Sequence, residues 1–207
     1  MDLSDPARAV LPAGTAAILR VLVGADTSFT MRQLARLAGV SAPLAGDVVR
    51  RLAEHGLVLT EPAGRAILCR YNNDHLAAEP LRELIRLRAR LLELLSQELA
   101  AWEIAPLHAS LFGSASRGDG GTASDLDILV VRTDDLDTEQ RGRWDDQLFT
   151  TGQRVRAATG NPVNWFDATV GDLARAVQGG ETIVADWRRD GTPLVGDSLS
   201  VILRTVA

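Results

Sequence analysis

Leu111-Phe112-Gly113-Ser114-Ala115-Ser116-Arg117-Gly118, followed by Ser124-Asp125-Leu126-Asp127-Ile128-Leu129-Val130-Val131, decides the reading of this 207-residue chain. The apolar residues up to Phe112 predict a strand from Ala109 that stops at Gly113-Ser114. A glycine there lets the backbone come close to a phosphate, and the Ser114 hydroxyl and nearby amides can donate to it. A helix starting at Ser114 would add the favourable end of its dipole. Leu126 to Val131 is a continuous apolar run, the pattern of a central strand. Asp125 and Asp127 stand two apart at its entry, so a regular strand points both carboxylates the same way. Adjacent carboxylates repel unless a cation lies between them. A hard divalent ion fits, because Mg²⁺ is held by one or two carboxylates plus substrate phosphates. Such an ion polarises a phosphate and, in a paired-metal site, activates an attacking hydroxyl.

This composite resembles the nucleotidyltransferase superfamily headed by DNA polymerase β, and within it the minimal nucleotidyltransferases. Gly113, Ser114, Arg117, Gly118, Ser124, Asp125 and Asp127 all match that pattern, and the likeness spans roughly residues 105 to 200. The resemblance implies that Gly113 and Ser114 hold the triphosphate of an NTP, with Arg117 and Ser124 in the same nucleotide-binding stretch. It implies that Asp125 and Asp127 hold Mg²⁺ (or Mn²⁺) as the catalytic pair. The implied reaction is transfer of a nucleoside monophosphate to a hydroxyl on a protein, an RNA or a small molecule. Minimal members often act as antitoxins beside a toxin, so the resemblance also implies a protein partner of that kind.

One position departs from the pattern. Active members place a third carboxylate on a neighbouring strand, as base and metal ligand. The matching strand here is Pro162 to Phe166, and the matching position is Asn164. An amide ligates a metal weakly and cannot take a proton. Asp167 lies three residues on, hence on the opposite face of a regular strand. Three readings stay open: slow transfer at a two-carboxylate site, rescue by another acid such as Asp167, or a fold that only binds nucleotide.

The remaining composition sets bounds. About half the residues are apolar and a quarter charged. No apolar run approaches the roughly 20 residues needed to cross a bilayer, and no signal pattern opens the chain, so a cytoplasmic protein with no membrane role is expected. Cys69 stands alone, which excludes a disulfide framework and a thiolate metal cluster. Every basic residue other than histidine is Arg, which excludes P-loop and Schiff-base lysine chemistry. The net charge of −5 is unevenly spread: residues 28 to 72 carry six Arg against three acids, and residues 73 to 207 fourteen against twenty-one. A basic front on an acidic back suggests phosphate binding in the first and a metal-binding or solvated surface in the second.

Upstream, helices are expected at Thr15–Val23, Met31–Ala38 and Ala42–His55, capped by Thr30 and Ser41, with a three-residue turn at Gly39. Leu44, Val48, Val49 and Leu52 are spaced for burial. Strands at Leu57–Thr60 and Ala66–Tyr71 form a hairpin. Thr30 to Tyr71 thus resembles the winged helix-turn-helix of bacterial transcription regulators, which implies double-stranded DNA as a partner. The third helix would enter the major groove, with Ser41, Arg50 and Arg51 near DNA and Arg65 at the wing tip. A long helix from about His75 to Trp102 is expected to connect the modules. A second apolar stripe on it (Ile85, Leu87, Leu94) allows a homodimer seam. The expected fold class is α/β (α+β): a winged helix-turn-helix over 1–73, a connecting helix over 74–104, and a nucleotidyltransferase-type domain with a small mixed sheet over 105–207. Two functions follow from this: an NTP-dependent transferase, or a transcription regulator whose degenerate domain senses a nucleotide or partner.

Overall fold

Capping residues punctuate the first part of the chain. In the computed structural model, which describes residues 1–205, helix α1 spans Ala13–Val23, α2 Met31–Ala38 and α3 Ala42–Glu54. The Thr30 hydroxyl accepts from the Gln33 amide while the Gln33 side chain accepts from the Thr30 amide. Ser41 caps α3 through the Leu44 amide. Caps of this kind contribute about 1 kcal/mol each. Strand β1 (Phe29–Thr30), β2 (Val58–Ala63) and β3 (Ala66–Tyr71) form an antiparallel sheet in the order β1-β3-β2. Three helices with a short turn between the second and third, then a hairpin, make the winged helix-turn-helix arrangement.

The core of this unit holds Ile18, Leu19, Leu22, Leu34, Ala45, Val48, Val49 and Leu52. Leu44, expected inside, is 43% exposed. The buried stripe runs through 45, 48, 49 and 52, a complete i, i+3, i+4, i+7 set, and Leu44 stands one position off it. Helix α4 (Ala78–Ile85) closes the unit by adding Ala78, Leu81 and Ile85 to the same core.

The single helix expected from His75 to Trp102 is two helices. Arg86 leaves the helix after α4, and α5 runs Leu87–Ala100. The apolar faces on either side serve different cores: Leu91, Leu95 and Leu99 pack with the second unit. The stripe through Ile85, Leu87 and Leu94 is therefore divided between two helices. Pro80 lies in the first turn of α4 and does not break it.

The chain divides into two compact units, Pro6–Leu87 and a second made of Met1–Asp5 with the chain from Arg88 on. Residues 1–5, expected with the first module, pack with the second, where Leu3 is 1% exposed. The expected span to 207 ends in two residues that lie outside the described ones.

The second unit carries β4 (His108–Phe112), α6 (Gly113–Arg117), β5 (Leu126–Arg132), α7 (Thr138–Thr159), β6 (Val163–Thr169), α8 (Val170–Gln178), α9 (Thr182–Asp190), β7 (Thr192–Gly196) and α10 (Leu199–Thr205). The sheet order is β6-β5-β4-β7. The pairs β4/β5 and β4/β7 are antiparallel and β5/β6 is parallel. A parallel pair needs a long crossover, and α7 supplies it. This is the small mixed sheet flanked by helices. Strand alternation divides its two faces. Leu126, Ile128 and Val130 join Leu95, Leu99 and Trp144 on one face. Leu129 and Val131 join Phe112, Leu173 and Trp187 on the other. Among the described residues no helix is long and apolar enough to cross a membrane.

Candidate functional site

Three strand ends converge where β4 stops. In the ladder Asp127 pairs with Phe112 of β4 on one side and with Asn164 of β6 on the other. Strand parity puts Asp127 on the face of Leu129 and Val131, and Asn164 on the face of Phe166 and Ala168. The side chains meet: Asn164 Nδ2 donates to Asp127 Oδ1 at 2.9 Å. A carboxylate can only accept, so this contact fixes the orientation of the amide.

Gly113 presses on the other oxygen. It adopts φ +69°, and a β-carbon placed there would lie 2.6 Å from Asp127 Oδ2. Only glycine satisfies both the left-handed backbone and the clearance. Gly113→Ala should therefore displace the Asp127 carboxylate and lower stability by about 1–3 kcal/mol. Chemical denaturation measures the second effect. A crystal structure of the variant with Asp127 unmoved would refute the first.

Asp125 lies just before β5 and is exposed. Asp127 is half-buried. The loop between α6 and β5 is held from three sides. The amides of Gly118, Asp119 and Gly120 donate to the Ser114 carbonyl. Ser124 Oγ accepts from the Gly121 amide, and the fully buried Asn161 donates to the Ser124 carbonyl. Arg88 of α5 donates to the carbonyls of Leu3 and Ser116. Ser124 thus closes its own turn, and its position beside Asp125 comes from Asn161. Arg88 and Asn161 carry no recognisable motif. Their importance appears only once distant segments meet.

Arg117 does not point free. Its Nη1 donates to Asp190 of α9 at 2.6 Å and its Nε to Asp119 at 3.2 Å. Arg189 and Arg117 together hold the Asp190 carboxyl down at about 2. Any phosphate contact by Arg117 competes with this pair.

Asp167, the sequence's candidate for a rescuing acid, is committed elsewhere. It faces the Trp144 side of the sheet. It accepts from Trp144 Nε1 and Arg132 Nε, both at 3.1 Å, and pairs with Arg141 at 2.9 Å. It cannot reach the Asn164 face without breaking all three. Among the described residues no group of three or more His, Cys, Asp or Glu is arranged to hold a metal ion. The donor set at Asp125 and Asp127 fits a divalent ion that arrives with phosphates to complete its shell. It does not fit a resident metal caged by protein alone.

In the first unit Ser41, Arg50, Arg51 and Arg65 take different places. Ser41 spends its hydroxyl on the α3 cap. Arg50 is exposed and pairs along the helix with Asp47. Arg51 turns to α1, where Nη2 donates to Thr15 Oγ1 at 2.8 Å. That contact ties the two helices together, while Arg51 as a whole stays exposed. Arg65 stands exposed at the hairpin turn.

No protein-family model matches the sequence, and no curated protein does. Solved structures give remote likenesses. One is a toxin–antitoxin crystallised with AMP-PNP, at TM-score 0.38 and 21% identity over 56% of this chain and 82% of that one. A mutant of the toxin–antitoxin MntA-HpeT gives 0.34 and 19% over 57% and 82%. A MarR family transcriptional regulator from Silicibacter pomeroyi gives 0.34 and 25% over 44% and 66%.

Proposed function

We propose that the chain is a DNA-binding regulator whose nucleotidyltransferase-type unit binds a Mg²⁺–NTP complex and turns it over slowly or not at all. The observation that carries this is the Asn164 amide on Asp127, at the place where an active site needs a proton acceptor. In this reading Gly113 and Ser114 receive the triphosphate, and Asp125 and Asp127 hold Mg²⁺ or Mn²⁺. The ion, when bound, supplies charge neutralisation at the phosphates. Asn164 keeps Asp127 aimed and takes no proton.

A second reading is transfer of a nucleoside monophosphate to a hydroxyl on a protein such as a toxin, or on an RNA. The close approach of Gly113 to Asp127 Oδ2 serves this reading as well as the first, because both need that carboxylate free of a β-carbon to meet a phosphate-bound ion. Labelled NTPs with Mg²⁺ or Mn²⁺ and cell extract separate the two. Efficient labelling, well above an Asp125→Ala/Asp127→Ala control, supports transfer. Mg²⁺-dependent binding with little or no labelling supports the first reading.

For the first unit, the third helix and wing support double-stranded DNA as the partner. Arg50→Ala/Arg65→Ala should weaken binding to the protein's own promoter and lower the slope of log K against log salt by about two. A gel-shift series across salt concentrations measures this. An unchanged slope would remove both arginines from the interface.

A further inference from the structure

The face of the sheet that carries Asp127 also carries a cavity at the far end of β4, which the nucleotide reading leaves unused. Its volume is about 470 Å³, and it lies among β4, α9, β7 and α10. Cavities of roughly 300–1,000 Å³ suit small organic ligands.

Its floor is a fixed polar pair. His108 and Ser110 alternate on β4 and are each 1% exposed. The Asp197 carbonyl lies 2.7 Å from His108 Nδ1, and a carbonyl only accepts, so Nδ1 carries the proton. His108 Nε2 then accepts the Ser110 hydroxyl at 2.9 Å. Burial pushes the imidazole below its ordinary value, against a smaller opposing effect of the Asp197 carbonyl. The neutral tautomer that this geometry needs is therefore the favoured one.

The walls are mostly apolar: Trp187, Pro193, Leu199 and Leu203. Trp187 is 6% exposed, and its indole Nε1–H has no hydrogen-bond partner among the described residues. Arg188 and Arg204 stand at the same cavity, with no ion pair among the described residues.

We propose that this cavity is a binding site for a small organic carboxylate. The apolar body of the ligand packs between Trp187, Leu199 and Leu203, and its carboxylate oxygens meet Arg188 and Arg204. The lining of this site contains none of Gly113, Ser114, Arg117, Ser124, Asp125 or Asp127. Its test therefore needs no nucleotide, and its failure leaves the nucleotide reading standing.

The experiment is a titration of the full chain with phenylacetate, followed by tryptophan fluorescence and by thermal shift. Saturable quenching that Trp187→Phe removes is expected, together with a rise in melting temperature. Arg188→Ala/Arg204→Ala alters two exposed side chains and should leave the fold intact. It should weaken binding by at least about tenfold, the effect of losing a charge-assisted hydrogen bond. Hexanoate should also bind, and phenol, which lacks the carboxylate, should not. Three results would overturn the proposal: no saturable response to either acid, equal affinity in the double arginine variant, or tighter binding of phenyl phosphate than of phenylacetate.

Discussion

Asn164→Asp should raise nucleotidyl transfer by about 10²–10⁴-fold over wild type, the range for a positioned general base. The side chain already lies 2.9 Å from Asp127, so the new carboxylate needs no movement to join the pair. The same change exchanges a hydrogen bond for a like-charge contact. The variant without metal should lose about 1 kcal/mol of stability. Mg²⁺ with an NTP should restore that loss, because a ligand that binds only the folded state stabilises it. Labelled transfer to extract and denaturation with and without Mg²⁺ measure the two halves. A variant with no gain in transfer and no added metal dependence would show that a missing base is not what limits this site.

Asp167→Ala should destabilise the second unit by about 3 kcal/mol. It leaves Arg132, which is 16% exposed, without its carboxylate and Trp144 without an acceptor. Asp167→Asn keeps one acceptor for the indole and should cost less. Neither change should alter NTP affinity measured well below the melting temperature. Loss of NTP binding or labelling at unchanged stability would instead make Asp167 part of the site, and would reinstate it as a rescuing acid.

These two neighbours on β6 show how far sequence alone reaches. Strand period put Asn164 and Asp167 on opposite faces, and that separation holds because β6 pairs regularly with β5 over seven residues. The period could not say what each face meets. Trp144, Arg132 and Arg141 come from α7 and β5, and only packing brings them to Asp167. The same applies to Arg117. Its motif placed it in a phosphate-binding stretch, while its observed partner, Asp190, is 73 residues away. In the first unit the helices, caps and hairpin follow from local signals such as Thr30, Ser41 and Gly39. The break at Arg86 did not, because leucines recur across it without interruption. It reflects a division between two cores, which helical period does not encode. Arg51 shows the same: its helix position was clear, but its contact with Thr15 depends on where α1 lies.

On the proposed reading, Gly113, Ser114, Asp125 and Asp127 form a metal-dependent NTP site that Asn164 keeps from efficient turnover. Equilibrium dialysis of the full chain against each labelled NTP, with Mg²⁺ and with EDTA, tests it most directly when the recovered nucleotide and protein are also checked for product. The expected result is saturable binding of at least one NTP that requires Mg²⁺, disappears in Asp125→Ala/Asp127→Ala, and returns the nucleotide essentially unconverted. Binding of no NTP, binding indifferent to Mg²⁺ and to both aspartates, or rapid conversion by the wild-type chain would contradict it.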